Sequence, residues 1–465
     1  MEELLRLLQL DPDKTSPEII AALRNKSIIV PTWKGKKGLE AQYNTDMHPV
    51  MDKTIYPDVV TEDGIEKVTR ITYDLQRLAV KRMTELVCGI PVKRVYHPQD
   101  DLQAEVANYM EAIYKRNRID SVNVERLNML FASCEVITLW YAVEQKNKLY
   151  GFDSDLKLRC RNFSPMNNEE LYPLFDETGD MIALSVAYRR RVGRKYVNFF
   201  DTYTATKHYR WDDSNNGWGE PFVEEITIGK IPGDYVYRPT PIYEGTSDLV
   251  YEIEWAVSRN GNYLRRNSKP LFIVCADEEI GFGNEGDEKR EFRAVAQYPK
   301  GSTAQYVTWQ QAVENLKFFI TELRQSFFTQ LQLPDWSYES MKSTPMSGES
   351  RKQLFIDCQL KVKDESGRLL EFFDRETNVV KAFMKVVLPD SYNDAIDKLP
   401  VENVITPFIM NDDTDTLKNL TLANGGKPVM SQRESIEEYG HSSDVDQTMK
   451  EIAEENEQDA FNLTM

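Results

Sequence analysis

Residues 245–266 read GTSDLVYEIEWAVSRNGNYLRR and residues 308–336 read TWQQAVENLKFFITELRQSFFTQLQLPDW; these two segments, with the chain that follows to Leu388, decide the fold. In the first, Thr246 or Ser247 stands at an N-cap position and Leu249, Ile253, Ala256, Val257, Tyr263 and Leu264 recur at helical spacing. In the second, Thr308 is placed to cap a helix whose Trp309, Val313, Leu316, Ile320, Leu323 and Phe327 step by alternate fours and threes. That seam has a period near 3.5 and calls for a helical partner. Leu333-Pro334-Asp335-Trp336 ends it, because proline cannot continue a helix and disfavours helix at the residue before. A loop to Pro345 follows, and Ser347 then caps a very long helical pattern to Leu388, with Gly367 as its expected kink and a length of about 60 Å at 1.5 Å per residue. Between the two helices, residues 269–304 hold an apolar run (Pro270 to Ala276), a Gly-rich acidic turn (Gly281, Gly283, Gly286, Asp287) and an extended piece around Phe292 to Tyr298. This reads as a small β-containing module. Phe318, Phe319 and Phe328 lie off the seam. Apolar residues on more than one face cannot all be buried within one chain, so neighbouring copies in a ring are their natural cover.

Upstream, Leu4, Leu5, Leu7 and Leu8 suggest a short helix, and Thr15-Ser-Pro-Glu18 has capping-box spacing. Pro31 to Pro57 is loop-like, with a solvated lysine cluster. Residues 61–135 are predicted helical: Asp63 and Glu66 have capping-box spacing, and Ile65, Val68, Ile71, Leu75, Leu78, Ala79, Met83 and Leu86 make one apolar face before Gly89 and Pro91. Further helices are predicted over Leu102 to Arg118 and Ser121 to Cys134. From Glu135 to Tyr243 the period switches to two. Strand-like runs cover Val136 to Val143, Leu149 to Phe152, Leu156 to Cys160, Ala183 to Arg190, Tyr196 to Phe200, Lys207 to Trp211 and Phe222 to Ile228, an antiparallel meander. The series Asp212 to Gly217 has a calcium-loop look, but Val223 stands where the bidentate glutamate belongs, so a hairpin is expected. Arg189, Arg190, Arg191, Arg194 and Lys195 straddle one hairpin, either as a solvated face or as a docking patch for an acidic partner. After Leu388 come a strand-like run Val404 to Met410, a short helix to Asn424, and an acidic pair of helical pieces from Ser431 to Asp459.

Composition narrows the function. Hydrophobic residues make up 41% of the 465, enough for real cores. A formal net charge of −18 argues against a dedicated grip on nucleic acid. Five scattered cysteines without a CxxC read as reduced thiols, and the acidic N-terminus and the absence of a long apolar run predict no leader and no membrane span. Four histidines show no metal-ligand spacing, and no phosphate loop, GxSxG or GxGxxG is present, so neither a cofactor nor a metal is expected and an enzyme is disfavoured. The residues leave open a ring-forming adaptor or another structural component, and a nucleic-acid enzyme without a known motif.

The order of elements resembles the portal, or head-to-tail connector, proteins of tailed double-stranded-DNA bacteriophages, in particular the long-tailed branch. The resemblance rests on Leu86-Val-Cys-Gly-Ile-Pro-Val92, Asn117-Arg-Ile-Asp120, the block Ala132 to Tyr141, Ser164-Pro165 to Phe175-Asp176, Ala187-Tyr188-Arg189, Gly245-Thr-Ser-Asp248, Ser347-Gly348 and Pro428 with Ser431. Each is weak alone, and their order is the specific feature.

The resemblance implies an α+β, portal-like, ring-forming fold: mostly helical, with an antiparallel β-rich wing, a helical stem pair, a small α/β clip and a long kinked helix. Residues 1–60 would be N-terminal helices and linker, 61–243 the wing, 244–266 and 308–332 the stem, and 267–307 the clip. Residues 333–346 would be the channel loop, 347–388 the long helix, 389–428 a return strand to the wing, and 429–465 an acidic helical crown. It implies about twelve copies around a channel at one capsid vertex, assembled in the host bacterial cytoplasm. Implied partners are the terminase large subunit, a head-tail adaptor, major capsid and scaffolding proteins, and double-stranded DNA passing through without sequence preference. The assembly seam would be Leu249, Ile253, Val257, Val313, Leu316, Ile320, Leu323 and Phe327; the channel loop Asp335, Trp336, Ser337, Tyr338, Met341 and Lys342; the clip docking residues Glu278, Glu279, Asp287, Lys289, Arg290 and Arg293.

Overall fold

Residues 14–26, 28–61, 64–214, 217–266, 271–275, 303–307, 313–335, 356–408, 430–439 and 445–463 are described by the computed structural model. The chain is mixed α+β with antiparallel sheets. Contacts divide it into two units, residues 1–335 with 357–408 and residues 336–356 with 409–465.

In the first unit, α1 (Ser16–Leu23) begins where its capping box predicts, the Thr15 N–H donating to the Glu18 carboxylate at 2.8 Å. A short α2 (Leu39–Tyr43) follows. The next stretch departs from the sequence reading. Instead of one helix from Asp63, the chain makes a hairpin of β1 (Val59–Thr61) and β2 (Gly64–Glu66), runs without regular structure through residues 67–74, and starts α3 (Leu75–Cys88) only then. Ile65, assigned to an apolar face, is 71% exposed. The amides of Thr69, Ile71 and Tyr73 find acceptors on the helix that follows Thr246, and that of Val68 finds one on Asp58, which outweighs the local helical spacing.

The helix α3 stops before Gly89 as expected; a Cβ there would lie 3.1 Å from the Phe408 side chain, whose backbone N–H donates to the Leu86 carbonyl. After β3 (Lys93–Tyr96), α4 (Asp101–Arg116) and α5 (Ile119–Ser133) are separated at Arg118, which takes a left-handed conformation. The Asp100 carboxylate caps α4 by accepting the Gln103 N–H at 2.7 Å.

Two sheets follow. One orders β11 (Gly233–Tyr237), β4 (Glu135–Asn147) and β5 (Ser154–Phe163); the other is a meander of β6 (Glu170–Phe175), β7 (Met181–Val192), β8 (Lys195–Tyr203), β9 (Lys207–Asp212) and β10 (Phe222–Glu225). Alternation alone missed β6 and β11, which carry Pro173 and Gly233; both are edge strands, where such residues are tolerated. The run Leu149 to Phe152 is not a strand: Tyr150 is buried and its hydroxyl accepts the Leu158 N–H. As expected, β9 and β10 pair antiparallel, and Asp212 accepts the Ser214 N–H at 3.0 Å. One core lies between the sheets (Ile137, Phe163, Leu184, Tyr203) and a second lies under α1 (Ile19, Ile20, Phe200, Trp211).

The helix α6 (Ser247–Arg266) leads into β12 (Leu271–Cys275), which pairs antiparallel with β13 (Thr303–Val307) before α7 (Val313–Gln330). The extended piece expected at 292–298 and the helix start at 308–312 lie outside the described residues. The long helix α8 (Ile356–Val387) is one continuous element through Gly367, and residues 347–355 lie outside the described part. Its C-terminal half shares a core with α4, Trp140 and α9 (Asn393–Lys398). The return strand is β14 (Val401–Val404), paired with β3, rather than the run from Val404 to Met410; the helix expected before Asn424 is outside the described residues.

In the second unit, α10 (Gln432–Tyr439) opens with a capping box between Ser431 and Glu434 and packs on α11 (Val445–Leu463), with Arg433 2.9 Å from Asp446. Across the described residues no helix is long and apolar enough to cross a membrane, and no three His, Cys, Asp or Glu are grouped to hold a metal. Cys88, Cys134, Cys160 and Cys358 are free thiols, buried or half-buried.

Candidate assembly face and its supports

The helices α6 and α7 pack on one another, but the face that α6 buries is not the one its apolar spacing marks. Val250, Ile253, Glu254 and Ser258 are buried, whereas Leu249 and Val257 are only half-buried. The polar members are explained by residues 67–74, which run alongside. The Tyr73 N–H donates to Glu254 Oε1 at 2.8 Å, the Ile71 N–H to Ser258 Oγ at 2.9 Å and the Thr69 N–H to Asn262 Oδ1 at 2.5 Å. Two extended residues advance about 6.6 Å and four helical residues about 6 Å, so alternate amides meet acceptors one helical turn apart. Gly261 permits the approach, since a Cβ there would meet Thr69 Cγ2 at 3.0 Å. The ladder ends on a buried pair: His48 Nδ1 lies 2.7 Å from Glu254 Oε1, and His48 Nε2 donates to the Gln42 carbonyl at 2.9 Å.

On α7 the seam is less covered. Phe327 and Phe328 are buried, Leu316, Ile320 and Leu323 are half-buried, and Phe318 and Phe319 are 69% and 43% exposed. The side chain of Val313 lies outside the described residues. Of the proposed seam, then, Ile253 and Phe327 face the chain's own core and the other described members are half-buried, while Phe318 and Phe319 present apolar surface outward. The helix ends in a Schellman motif: the Leu333 N–H bonds the Phe328 carbonyl and the Gln332 N–H bonds the Thr329 carbonyl, with Gln332 left-handed. The Lys361 ammonium, on α8, donates to the Leu331 carbonyl, a cation at a helix C-terminus. Burial, with Arg238 nearby, brings that ammonium down to about 8. Asp335, the described member of the proposed channel loop, lies 3.3 Å from Arg324. Trp336, Ser337, Tyr338, Met341 and Lys342, and all six proposed clip docking residues, lie outside the described residues.

The long helix is fixed by a buried ion pair that the sequence reading did not single out. Arg126 donates to both Glu376 oxygens at 2.7 and 2.8 Å, and the Trp140 indole N–H donates to the same carboxylate at 3.0 Å. Burial works against both charges, yet each partner outweighs it: Arg126 holds Glu376 below the usual carboxylate range, and Glu376 raises Arg126. No local motif marks this pair; its two halves lie 250 residues apart.

Asp234 behaves oppositely. Burial pushes its carboxyl up to about 7, although Arg375 lies 3.1 Å away and the Tyr235 N–H donates to it. Its proton is held more tightly folded than unfolded, so the stability it contributes is fully present below about pH 4 and is lost as pH rises through about 7. Relative to Asp234→Asn, the wild type should lose about 2–3 kcal/mol between pH 5 and pH 8. Urea denaturation of both proteins at the two pH values checks this, and parallel pH profiles would refute it.

A family model described as "Phage portal protein, SPP1 Gp6-like" matches residues 36–460. The chain belongs to this portal protein family. The resemblance read from the sequence is thereby shown, and the family is one of structural proteins of the virion rather than enzymes. Among solved structures, this portal protein is similar to a chain from the neck of an empty GTA particle computed with C6 symmetry (9% identity, 91% of this chain and 98% of that chain, TM-score 0.42). It is similar too to one from the neck of a native GTA particle computed with C12 symmetry (10% identity, 91% and 98%, TM-score 0.39). A search of curated proteins gives no match.

Proposed function

We propose that this portal protein forms a ring of about twelve subunits at one capsid vertex, through which DNA enters during packaging and leaves during ejection. The observation that carries the reading is the outward apolar face of α7, where Phe318 is 69% exposed. A single chain gains nothing from that surface, whereas a neighbour in a closed ring covers it and leaves no open ends. In this reading α6 and α7 are the stem, and residues 267–307 are the clip on which the terminase motor and later the connector dock. Residues 333–346 are the channel loop, positioned at its start by the end of α7.

Charge fits transit. Duplex DNA carries about one charge per 1.7 Å, and a strongly basic wall would hold it, whereas a chain of net charge −18 offers few such traps. With a Debye length of about 8 Å at physiological salt, wall charges act chiefly at the narrowest points. Electron microscopy of the purified chain tests the proposal. Rings with a central channel support it, and monomers at every concentration and in every buffer overturn it.

A further inference from the structure

The two sheets part at one end, leaving a cleft of about 460 Å³ between β4 and β5 on one side and β7, β8 and β9 on the other. Its lining mixes aromatic rings and arginines with the carboxylates of Asp201, Glu224 and Glu225. The Phe163 and Tyr188 rings are 5.9 Å apart, with the Arg161 guanidinium 4.4 Å from the first and 5.7 Å from the second. Of the three carboxylates that line it, Asp201 is already taken, since Arg210 Nε donates to it at 3.1 Å and the Tyr188 hydroxyl at 3.1 Å, Glu224 lies 3.6 Å from His208 Nδ1, and Glu225 is exposed on β10. Burial raises the Asp201 carboxyl, and the His208 ring nearby and the Arg210 guanidinium bonded to it outweigh that and hold it below the usual range. His208 is 7% exposed, and its Nε2 has no hydrogen-bond partner, lying 3.6 Å from Asp201.

At the mouth stands Arg190, and beyond it the β7–β8 hairpin carries Arg189, Arg191, Arg194 and Lys195, all exposed. Among the described residues no carboxylate is paired with any of the five, in a chain of net charge −18. The hairpin also outruns its neighbours. Pairing of β6 with β7 ends at Ala187, and pairing of β8 with β9 begins at Phe199, so among the described residues the outer edge of β7 from Tyr188 to Val192 has no strand beside it. Basic residues often serve only to guard such an edge. Five cations exceed what a guard requires, and a guard does not account for the cleft that Tyr188 and Arg190 line on one face of the same strand.

We propose that the β7 edge and the cleft beside it dock an extended acidic segment of a partner protein, its carboxylates on the hairpin arginines and one apolar or aromatic side chain in the cleft. Strand addition supplies backbone hydrogen bonds, and the cleft supplies selectivity. Duplex DNA fits less well, because it would meet the cations but has no side group to fill the cleft. The proposal does not depend on the ring.

The test uses the full chain and fluorescence anisotropy. The probes are a synthetic Asp/Glu-rich peptide with one central phenylalanine, the same peptide with serine there, and a short duplex DNA. The phenylalanine peptide should bind, the serine peptide should bind about fivefold or more weakly, and Arg190→Glu with Arg191→Glu should weaken binding about tenfold or more. Arg194→Glu with Lys195→Glu, both at the exposed turn, is a second variant less able to disturb the sheet, and it should weaken binding in the same direction. DNA that binds as tightly, or displaces the peptide, would make the hairpin a phosphate-binding patch and overturn the proposal. Absence of peptide binding, or indifference to both variants in folded protein, would leave the cations as an edge guard and overturn it equally.

Discussion

Replacing Glu376 by alanine is expected to lower the stability of the chain by about 3–5 kcal/mol, the range for removing one partner of a buried ion pair. The carboxylate is 2% exposed and Arg126 is fully buried, so the substitution strands a guanidinium that Asn123, Thr138 and the Phe372 and Phe373 rings cannot neutralise. The Trp140 N–H loses its acceptor as well. A large fall in the urea midpoint is the measurement. Arg126→Met combined with Glu376→Leu should recover much of the loss, since a buried pair is often replaceable by apolar residues of similar volume. A single variant that unfolds at the wild-type midpoint would mean that the pair carries no weight.

The second large effect is on assembly. Phe318→Ser with Phe319→Ser should lower the stability of the isolated subunit by only about 1–2 kcal/mol, because the first ring is 69% and the second 43% exposed. If a neighbour covers the exposed remainder, about one side chain's worth of area, each interface should lose about 2–3 kcal/mol, or about two powers of ten in its equilibrium constant. Native mass spectrometry of the variant should show monomers where the wild type gives rings. Undiminished rings would place the intersubunit contact on another face.

Much of the architecture was legible because the residues that decide it lie near one another in sequence. The stop at Gly89 and Pro91, the capping box at Thr15 and Glu18, the break at Arg118 and the alternating runs of the meander are local signals, and the fold follows them. The segment 67–74 misled for the opposite reason. Val68, Ile71 and Leu75 happen to fit a helical repeat, while the acceptors that draw the backbone into an extended course lie 181–193 residues downstream. The same fact explains the assembly face. Glu254, Ser258 and Asn262 fall outside the apolar spacing of α6, and the amides of Tyr73, Ile71 and Thr69 give them partners on the chain's own side. The exposed phenylalanines of α7 were legible as surplus apolar residues, but which of them the chain covers itself depends on packing that no spacing encodes.

The ion pair between Arg126 and Glu376 has a bearing on how the chain is made. At roughly 5–20 residues per second, a gap of 250 residues means that Arg126 leaves the ribosome roughly 12–50 s before its partner exists. Through that interval its guanidinium has to stay in water, so α5 and β4 cannot settle into final contact, while the meander from β6 to β10, paired between sequential neighbours, is free to close. The element that completes the centre is thus made late in synthesis. A chain released before α8 is made would hold an arginine where its interior should be, and so would be open to recognition as unfinished.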